Sequence, residues 1–194
     1  MKLYGTTTSP YVRRVRVVAH EVGEPIDRVD TASEAGLAAL RSISPIAKVP
    51  VAIIDGAPLF DSRAIIQWFE DHRGWPPPTD RLRESNLVNA IDGALDSIIQ
   101  LFYLRRDGVA IDGTPYAKRQ LDRADAIYTW LATQLQPDGK SFTDRFGVPE
   151  ISVCASLDWM DFRNTYPTER AAGLATLRAA WRDRPSMAAT RPHA

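Results

Sequence analysis

The stretch that decides the fold runs from Lys2 to Val22 and reads KLYGTTTSPYVRRVRVVAHEV. Its first apolar residues, Lys2-Leu3-Tyr4, predict a short strand, and Pro10 suits the first turn of a helix whose valines then recur at helical spacing. The hydroxyls of Thr7-Thr8-Ser9 therefore lie where a strand turns into a helix. Because a helix N-terminus carries partial positive charge, a hydroxyl at this point is well placed to hold an anion, including a thiolate.

The rest of the first third continues this alternation of strands and helices. Short β-branched runs predict strands, Ala- and Leu-rich runs predict helices, and Asp55-Gly56 predicts a tight hairpin turn. Asp61-Ser62 offers N-capping side chains for a further helix. The predicted elements are strands at 2–4, 26–29, 51–54 and 59–60, and helices at 11–22, 33–40 and from 62 onward. The predicted order is β-α-β-α-β-β-α.

A proline-rich break separates this region from an all-helical remainder. Trp75-Pro76-Pro77-Pro78 lacks three backbone donors and is stiff, which is typical of a linker. After it, apolar residues follow helical spacing, most clearly over Arg81 to Arg106. The sequence predicts an α/β domain at residues 1–74, a linker at 75–79 and an all-α domain at 80–194.

Composition narrows the possible functions. The 24 basic and 24 acidic residues balance, so the one-sided positive field that nucleic acid requires is not expected. No window of about 18 uncharged apolar residues occurs, so no membrane span is expected. One cysteine, Cys154, and three scattered histidines provide no metal-ligand pattern. The N-terminus lacks a signal-like apolar core, and we expect a cytoplasmic protein without a metal.

Two further segments contain groups that can bind a ligand. Lys48-Val49-Pro50 stands directly before a predicted strand, where a proline suits an extended residue with free backbone N–H and C=O groups. Asp61-Ser62 places a carboxylate, a hydroxyl and helix N-terminal amides together. Each segment also has a purely structural interpretation, because Ser9 and Asp61 are both good helix caps.

With Ser9-Pro10-Tyr11-Val12-Arg13 at its start, the chain resembles the glutathione transferase superfamily over essentially its whole length. The resemblance also includes SPIAKVP at residues 44–50, FDSRAI at 60–65 and RPSMAATRP at 184–192. It implies a thioredoxin-like N-terminal domain, a helical C-terminal domain and glutathione as substrate. Ala47 departs from the glycine that such proteins often carry there, and Gly147 replaces the Ser or Thr that opens their central helix.

The resemblance also implies roles for individual residues. The Val49-Pro50 peptide bond is expected to be cis, with the backbone of Val49 pairing with the cysteinyl part of glutathione. Asp61 and Ser62 are expected to bind the γ-glutamyl end, and Lys48 the glycyl carboxylate. Ser9 matches the catalytic position just before the proline. Thr8 matches the position where other classes place their serine, and the choice between the two stays open, with Ser9 preferred.

The predicted mechanism is attack of a bound thiolate on an electrophile. We expect Thr8, Tyr11, Tyr103 and Arg106 to line the electrophile pocket. The reaction is expected to be a conjugation or a glutathione-dependent ether cleavage or dehalogenation. Two alternatives stay open, a non-catalytic module that binds a protein partner and a glutathione-dependent reductase. The resemblance implies a homodimer, or a heterodimer with a related subunit.

Overall fold

The computed structural model of the protein describes residues 1–143 and 145–193. Its N-terminal part confirms the predicted β-α-β-α-β-β-α order. The strands are β1 (Lys2–Tyr4), β2 (Asp27–Val29), β3 (Val51–Ile54) and β4 (Ala57–Leu59). The helices are α1 (Pro10–Glu21), α2 (Glu34–Ile43) and α3 (Ser62–His72). The capping side chains predicted for α1 and α3, Ser9 and Asp61, are the residues at which these helices begin.

The four strands form one mixed sheet in the order β2-β1-β3-β4. Strand β1 runs parallel to β2 and antiparallel to β3, and β4 pairs antiparallel with β3. Tyr4 and Val51 pack with Leu40 of α2. Because side chains alternate along a strand, Leu3 and Ala52 turn to the opposite face, where both are completely buried. The sheet therefore has apolar residues on both faces, and β1 is buried on both of its sides.

The remainder of the chain is helical, as predicted. Its helices are α4 (Arg81–Arg106), α5 (Pro115–Thr133), α6 (Val148–Arg163) and α7 (Ala175–Trp181), with a 3-10 helix at Thr168–Leu174 and a final short helix α8 (Pro185–Ala189). Helix α4 packs on α5 and α6 through buried Leu87, Ile91, Leu95 and Ile98. It is also the one helix in the described residues that is long and apolar enough to cross a membrane. In its most apolar 18-residue stretch, 44% of the residues are buried within the described part of the chain.

Contacts divide the chain into two compact units at the proline-rich segment. The first unit comprises Met1–Pro77 together with the C-terminal segment that begins at Arg184, and the second comprises Pro78–Asp183. The sequence-based division assigned residues 80–194 to one helical domain, of which 144 and 194 lie outside the described residues. The structure differs from it at the C-terminal end, because the segment from Arg184 packs with the α/β unit.

An ion pair explains why the C-terminal segment joins the first unit. Arg184 donates from Nε and Nη2 to the two carboxylate oxygens of Glu21, at 2.7 and 2.6 Å. Ser186 Oγ also donates to Glu21, and the hydrogen bonds from Arg184 hold the pKa of Glu21 below its ordinary value. Buried Met187 completes the contact of α8 with α1. Because Glu21 and Arg184 lie far apart in the chain, no local sequence pattern indicates that they pair.

The second unit contains a different kind of helix start. Helix α6 begins after Gly147, which has no side chain to cap it. The Glu150 side chain instead ties the helix to the segment before it, since its Oε2 accepts from Gly147 N–H at 2.9 Å and its Oε1 accepts from Phe142 N–H at 2.7 Å. Glu150 is completely buried, and burial raises the pKa of its carboxyl although these backbone hydrogen bonds oppose the rise. A single carboxylate therefore satisfies two backbone donors in the core.

Candidate functional site

Strand register brings three sequence-predicted segments to one edge of the sheet. Tyr4, the last residue of β1, lies opposite Val51, the first residue of β3. Leu59, the last residue of β4, lies opposite Ala52. The segment after β1, the segment before β3 and the segment after β4 must therefore emerge at the same end of the sheet. These segments carry Ser9, Lys48 to Pro50, and Asp61-Ser62 respectively.

Ser9 occupies the start of α1 as an N-cap. Its Oγ accepts a hydrogen bond from Val12 N–H at 3.3 Å, and its backbone is extended. The connection from β1 is held close to the helix, because a Cβ on Gly5 would meet Val12 Cγ2 at 2.3 Å. Only glycine fits at position 5 without a shift of Val12. The half-buried hydroxyl of Ser9 is thus fixed beside the first free amides of α1.

The two neighbouring candidates in the first unit have their own contacts. Thr8 Oγ1 lies 3.2 Å from Thr6 Oγ1, in hydrogen-bonding distance. Tyr11 is half-buried in the first turn of α1, and the guanidinium carbon of Arg14 lies 4.8 Å from the centre of its ring. Ser9 is thus the hydroxyl that caps the helix, whereas Thr8 points to a hydroxyl within the preceding loop. The choice between Ser9 and Thr8 as the group that activates the thiol stays a prediction.

The segment before β3 has the predicted backbone. The Val49-Pro50 peptide bond is cis, as the resemblance implies. Pro50 is buried, Val49 is half-buried and Lys48 is exposed. Ala47 has a φ of 51°, a left-handed conformation that glycine adopts with little cost and that other residues adopt rarely. The departure from glycine noted in the sequence therefore falls on a position whose conformation favours glycine.

Asp61 and Ser62 lie at the start of α3. Asp61 caps this helix, with Oδ1 accepting from Arg63 N–H at 2.9 Å. Its carboxylate is exposed, whereas Ser62 is 3% exposed. Helix α3 therefore presents its N-terminal amides and an accessible carboxylate at the same sheet edge as Ser9. Two helix N-termini and one carboxylate at one edge can hold a ligand that carries both an anionic and a cationic group.

Tyr103 and Arg106 belong to the second unit, at the last turns of α4. Tyr103 is 48% exposed, and the guanidinium carbon of Arg106 lies 4.7 Å from the centre of its ring. Arg106 Nε donates to Asp107 at 2.9 Å, and this hydrogen bond raises the pKa of Arg106 above its ordinary value. These two side chains form an exposed pair on one helix. An electrophile pocket that includes Thr8, Tyr11, Tyr103 and Arg106 stays a prediction.

The helical unit has a cavity of its own, with a volume of about 310 Å³. Its charged lining includes Asp80, Arg83, Glu84 and Arg145. Arg145 pairs with Glu84 at 3.1 Å, and Asp80 caps α4. No sequence-predicted site residue contributes to this cavity. Among residues 1–143 and 145–193, no group of three or more His, Cys, Asp or Glu side chains is arranged to hold a metal ion.

One contributor to the site's geometry was missed by sequence reasoning. Arg28, in β2, donates from Nη1 to the carbonyl oxygen of Gly5 at 2.9 Å and so fixes the connection that leads to Ser9. Gly5 N–H in turn donates to Val29 O at 3.0 Å. A basic residue within a short predicted strand is the signal that could have indicated this role, although strand pairing is needed to recognise its partner.

Comparisons with known proteins show what this chain is similar to. Residues 3–78 match the family model of the glutathione S-transferase N-terminal domain. The uncharacterized GST-like protein YibF of Escherichia coli (strain K12) is 26% identical over 176 residues, which cover 86% of this chain and 85% of YibF.

Solved structures extend the similarity to the whole chain. A glutathione transferase family member from Pseudomonas fluorescens Pf-5 with bound glutathione is 27% identical, with a TM-score of 0.86 over 100% of this chain and 99% of that one. A glutathione S-transferase from Methylobacillus flagellatus KT with bound glutathione is 26% identical, with a TM-score of 0.85 over 99% of both chains. These matches identify residues 3–78 as a glutathione S-transferase N-terminal domain and show that the whole chain has the fold of glutathione S-transferases.

Proposed function

We propose that this protein is a glutathione transferase that holds the glutathione thiolate at Ser9 and directs it at an electrophilic carbon. The observation that carries the proposal is the position of Ser9, which caps α1 at the sheet edge where the segments of Val49-Pro50 and Asp61-Ser62 also emerge. Glutathione in the solved structures of similar proteins supports the same ligand here.

The Ser9 hydroxyl can stabilise a thiolate without losing its structural role. A hydroxyl has one donor and two acceptor positions. Ser9 Oγ uses an acceptor position for Val12 N–H, so its O–H can donate to a sulfur anion. A free thiol has a pKa of about 8.5, and each unit by which a site lowers it corresponds to about 1.4 kcal/mol. Helix α1 adds its N-terminal amides to the same effect.

The remaining residues fit the rest of the tripeptide. The exposed carboxylate of Asp61 suits the α-ammonium of the γ-glutamyl end, and Ser62 with the first amides of α3 suits its α-carboxylate. The backbone of Val49 suits the cysteinyl peptide unit, and the exposed ammonium of Lys48 suits the glycyl carboxylate. Each contact pairs opposite charges or a donor with an acceptor, which would orient the sulfur toward Ser9.

The reaction itself needs only the bound thiolate. The thiol proton leaves to solvent, the sulfur forms a bond to an electrophilic carbon, and the bond from that carbon to its leaving group breaks with its electron pair. Conjugation, ether cleavage and dehalogenation all follow this sequence. Because the cysteine of the chain, Cys154, is completely buried in α6, transferase chemistry is favoured over thiol–disulfide exchange.

Calorimetry with glutathione tests the proposal. We expect the full chain to bind glutathione with release of protons between pH 6.5 and 8, measured by titration in two buffers of different ionisation enthalpy. Asp61→Asn should weaken binding at least tenfold. Asp55→Asn, which removes the same charge from the exposed hairpin turn of the same unit, should leave binding unchanged. An absence of binding at millimolar glutathione would overturn the proposal and favour a non-catalytic module.

A further inference from the structure

The cavity of the second unit is not used by the proposed function. Its volume is about 310 Å³, and three segments line it: the start of α4, the segment after α5 and the segment before α6. These segments contribute Asp80 with Arg83, Gln136, and Thr143 with Arg145, respectively. Asp80, Arg83 and Gln136 are exposed, so the cavity opens to solvent. Pockets that bind small molecules begin at about 300 Å³, and this cavity therefore has room for one small ligand.

Two of the charges in the lining neutralise each other. Arg145 Nη2 donates to Glu84 Oε2 at 3.1 Å, and Glu84 is buried. A buried carboxylate that already has a guanidinium partner adds little net charge to the cavity. The charge that a ligand must carry is therefore decided by the other two charged residues, Asp80 and Arg83.

Asp80 and Arg83 carry opposite charges but do not pair with each other. Asp80 caps α4 through Oδ1, which accepts from the backbone N–H of Arg83 at 2.9 Å. The Arg83 guanidinium reaches the segment after α5 instead, where Nη2 donates to Gln134 O at 3.2 Å. In the part of the chain that the structure describes, Asp80 Oδ2 and the Nε and Nη1 of Arg83 have no protein partner. The lining thus offers one acceptor and one donor of opposite charge, held apart.

We propose that this cavity binds a small zwitterion of the α-amino acid class. A simple anion would meet the Asp80 carboxylate, and a simple cation would meet the Arg83 guanidinium, so each is disfavoured by one of the two charges. A molecule that carries both an ammonium and a carboxylate satisfies both. The planar donors of Arg83 match a carboxylate, and Asp80 Oδ2 accepts from the ammonium.

The rest of the lining indicates a polar, uncharged side chain for this amino acid. Gln136 Nε2 donates to Phe142 O at 3.2 Å, so its amide oxygen is left as an acceptor. Thr143 Oγ1 donates to Arg145 O at 3.3 Å and keeps its own acceptor positions. Both acceptors suit the amide N–H groups of a side chain such as that of glutamine. L-glutamine is therefore the probe that matches this lining.

The test is calorimetric titration of the full chain with L-glutamine in the absence of glutathione. We expect saturable binding and a matching rise in melting temperature, because a ligand that binds the folded state stabilises it. N-acetyl-L-glutamine lacks the ammonium, and the α-amide of L-glutamine lacks the carboxylate. Each should bind at least tenfold more weakly than L-glutamine. An absence of L-glutamine binding at millimolar concentration would overturn the proposal, as would equal binding of the N-acetyl form.

Variants of the two charged residues locate the binding. Arg83→Gln should weaken L-glutamine binding at least tenfold. Asp80→Asn should do the same while α4 keeps its cap, since asparagine caps a helix about as well as aspartate. Arg119→Gln removes the same charge as Arg83→Gln from an exposed position on α5 and should bind L-glutamine as the wild type does. Equal weakening by the Arg83 and Arg119 substitutions would overturn the proposal, because binding would then depend on net charge alone.

A further variant separates this site from the one proposed for glutathione, whose γ-glutamyl end also carries an ammonium and a carboxylate. Asp61→Asn should bind L-glutamine as the wild type does, although it should weaken glutathione binding. Arg83→Gln should show the reverse pattern. Loss of L-glutamine binding in Asp61→Asn, with binding kept in Arg83→Gln, would assign the amino acid to the glutathione site and overturn the proposal.

Discussion

Two helix starts in this molecule are built differently, and ligand binding is proposed for only one of them. Helix α1 begins at a serine followed by proline, and α6 begins at a glycine with proline in its first turn. At α1 the capping hydroxyl of Ser9 is half-buried, and in the proposed function its O–H donates to the bound thiolate. At α6 the capping carboxylate of Glu150 is completely buried and accepts two backbone N–H groups of the chain itself.

The difference teaches when a helix N-terminus can act as a functional site. The amides at any helix start attract an anion. In α6 the protein supplies that anion itself, so the position contributes to folding. In α1 the protein supplies a neutral hydroxyl, so the position can accept a foreign anion. If the proposed function is correct, loss of the capping side chain should lower activity at α1 and stability at α6.

Ser9→Ala should produce the largest effect, a fall in kcat/KM of about 100-fold, the loss typical when one donor to a developing or bound anion is removed. The bound thiol should also ionise at higher pH, because its hydrogen-bond donor is gone. The measurement is the pH dependence of kcat/KM with glutathione and an activated aryl halide.

A matched control separates this effect from simple loss of a cap. Ser33 caps α2 in the same way, with Oγ accepting from Gly36 N–H at 3.1 Å. Ser33→Ala should cost about 1 kcal/mol of stability, as cap removal commonly does, and leave kcat/KM unchanged. If the two alanine variants lose activity equally, Ser9 acts only as a cap and the comparison fails. The kcat/KM of Thr8→Val should lie between those of Ser33→Ala and Ser9→Ala if the Thr8 hydroxyl also donates to the thiolate.

Glu150→Gln, at the start of α6, should lower the free energy of unfolding. An amide offers one acceptor oxygen where the carboxylate offers two, so one of the donors at Phe142 and Gly147 loses its partner. A buried donor left unsatisfied costs about 1–3 kcal/mol. Urea unfolding should show this loss, whereas Glu34→Gln, an exposed residue in the first turn of α2, should change stability by less than about 0.5 kcal/mol. An unchanged stability of Glu150→Gln would contradict the structural role of this carboxylate.

The same comparison shows what could be predicted from the sequence. Both helix starts are local features, and the capping side chains and prolines indicated them directly. That Pro50 and Asp61 lie at the same end of the sheet was accessible as well, because the Asp55-Gly56 turn sets the register between β3 and β4. These features depend on residues close together in the chain.

Features that depend on distant residues could not be predicted. The return of the C-terminal segment to the first unit rests on the pairing of Glu21 with Arg184, which no periodicity reports. The contact of Arg28 with Gly5 requires knowledge of strand pairing. The roles of Tyr103 and Arg106 stay predictions for a related reason. All exposed residues on a long helix follow the same helical repeat, so their spacing in the sequence does not indicate which of them contacts a ligand.

Arg184→Gln tests the long-range pairing and should cost about 1 kcal/mol, a value at the low end for charged hydrogen bonds because the pair is partly exposed. The pKa of Glu21 is lowered in the folded protein from its ordinary value of 4.5. Its contribution is therefore present above pH 4.5 and is lost as pH falls through the lowered pKa.

The measurement is the difference in unfolding free energy between wild type and Arg184→Gln across pH. This difference should be constant near neutrality and shrink in acid as Glu21 becomes protonated. Arg182→Gln is the control, because Arg182 is 61% exposed and lies 3.9 Å from its acidic neighbour. A difference that persists below the pKa of Glu21 would show that Arg184 stabilises the segment by packing and not by charge.

Ala47→Gly should have the smallest effect and carries the opposite sign. Ala47 has a φ of 51°, a left-handed conformation that costs an L-residue about 1–2 kcal/mol. Glycine removes that cost but loses about 0.4–1 kcal/mol to the greater freedom of its unfolded chain. The net expectation is a gain of about 0.5 kcal/mol in unfolding free energy, with glutathione affinity unchanged, because the exposed Ala47 side chain has no proposed ligand contact. A lower glutathione affinity of the glycine variant would instead show that alanine holds Lys48 and Val49 in their binding conformation. Ala47, three residues before the cis proline, would then contribute to glutathione binding and not only to folding.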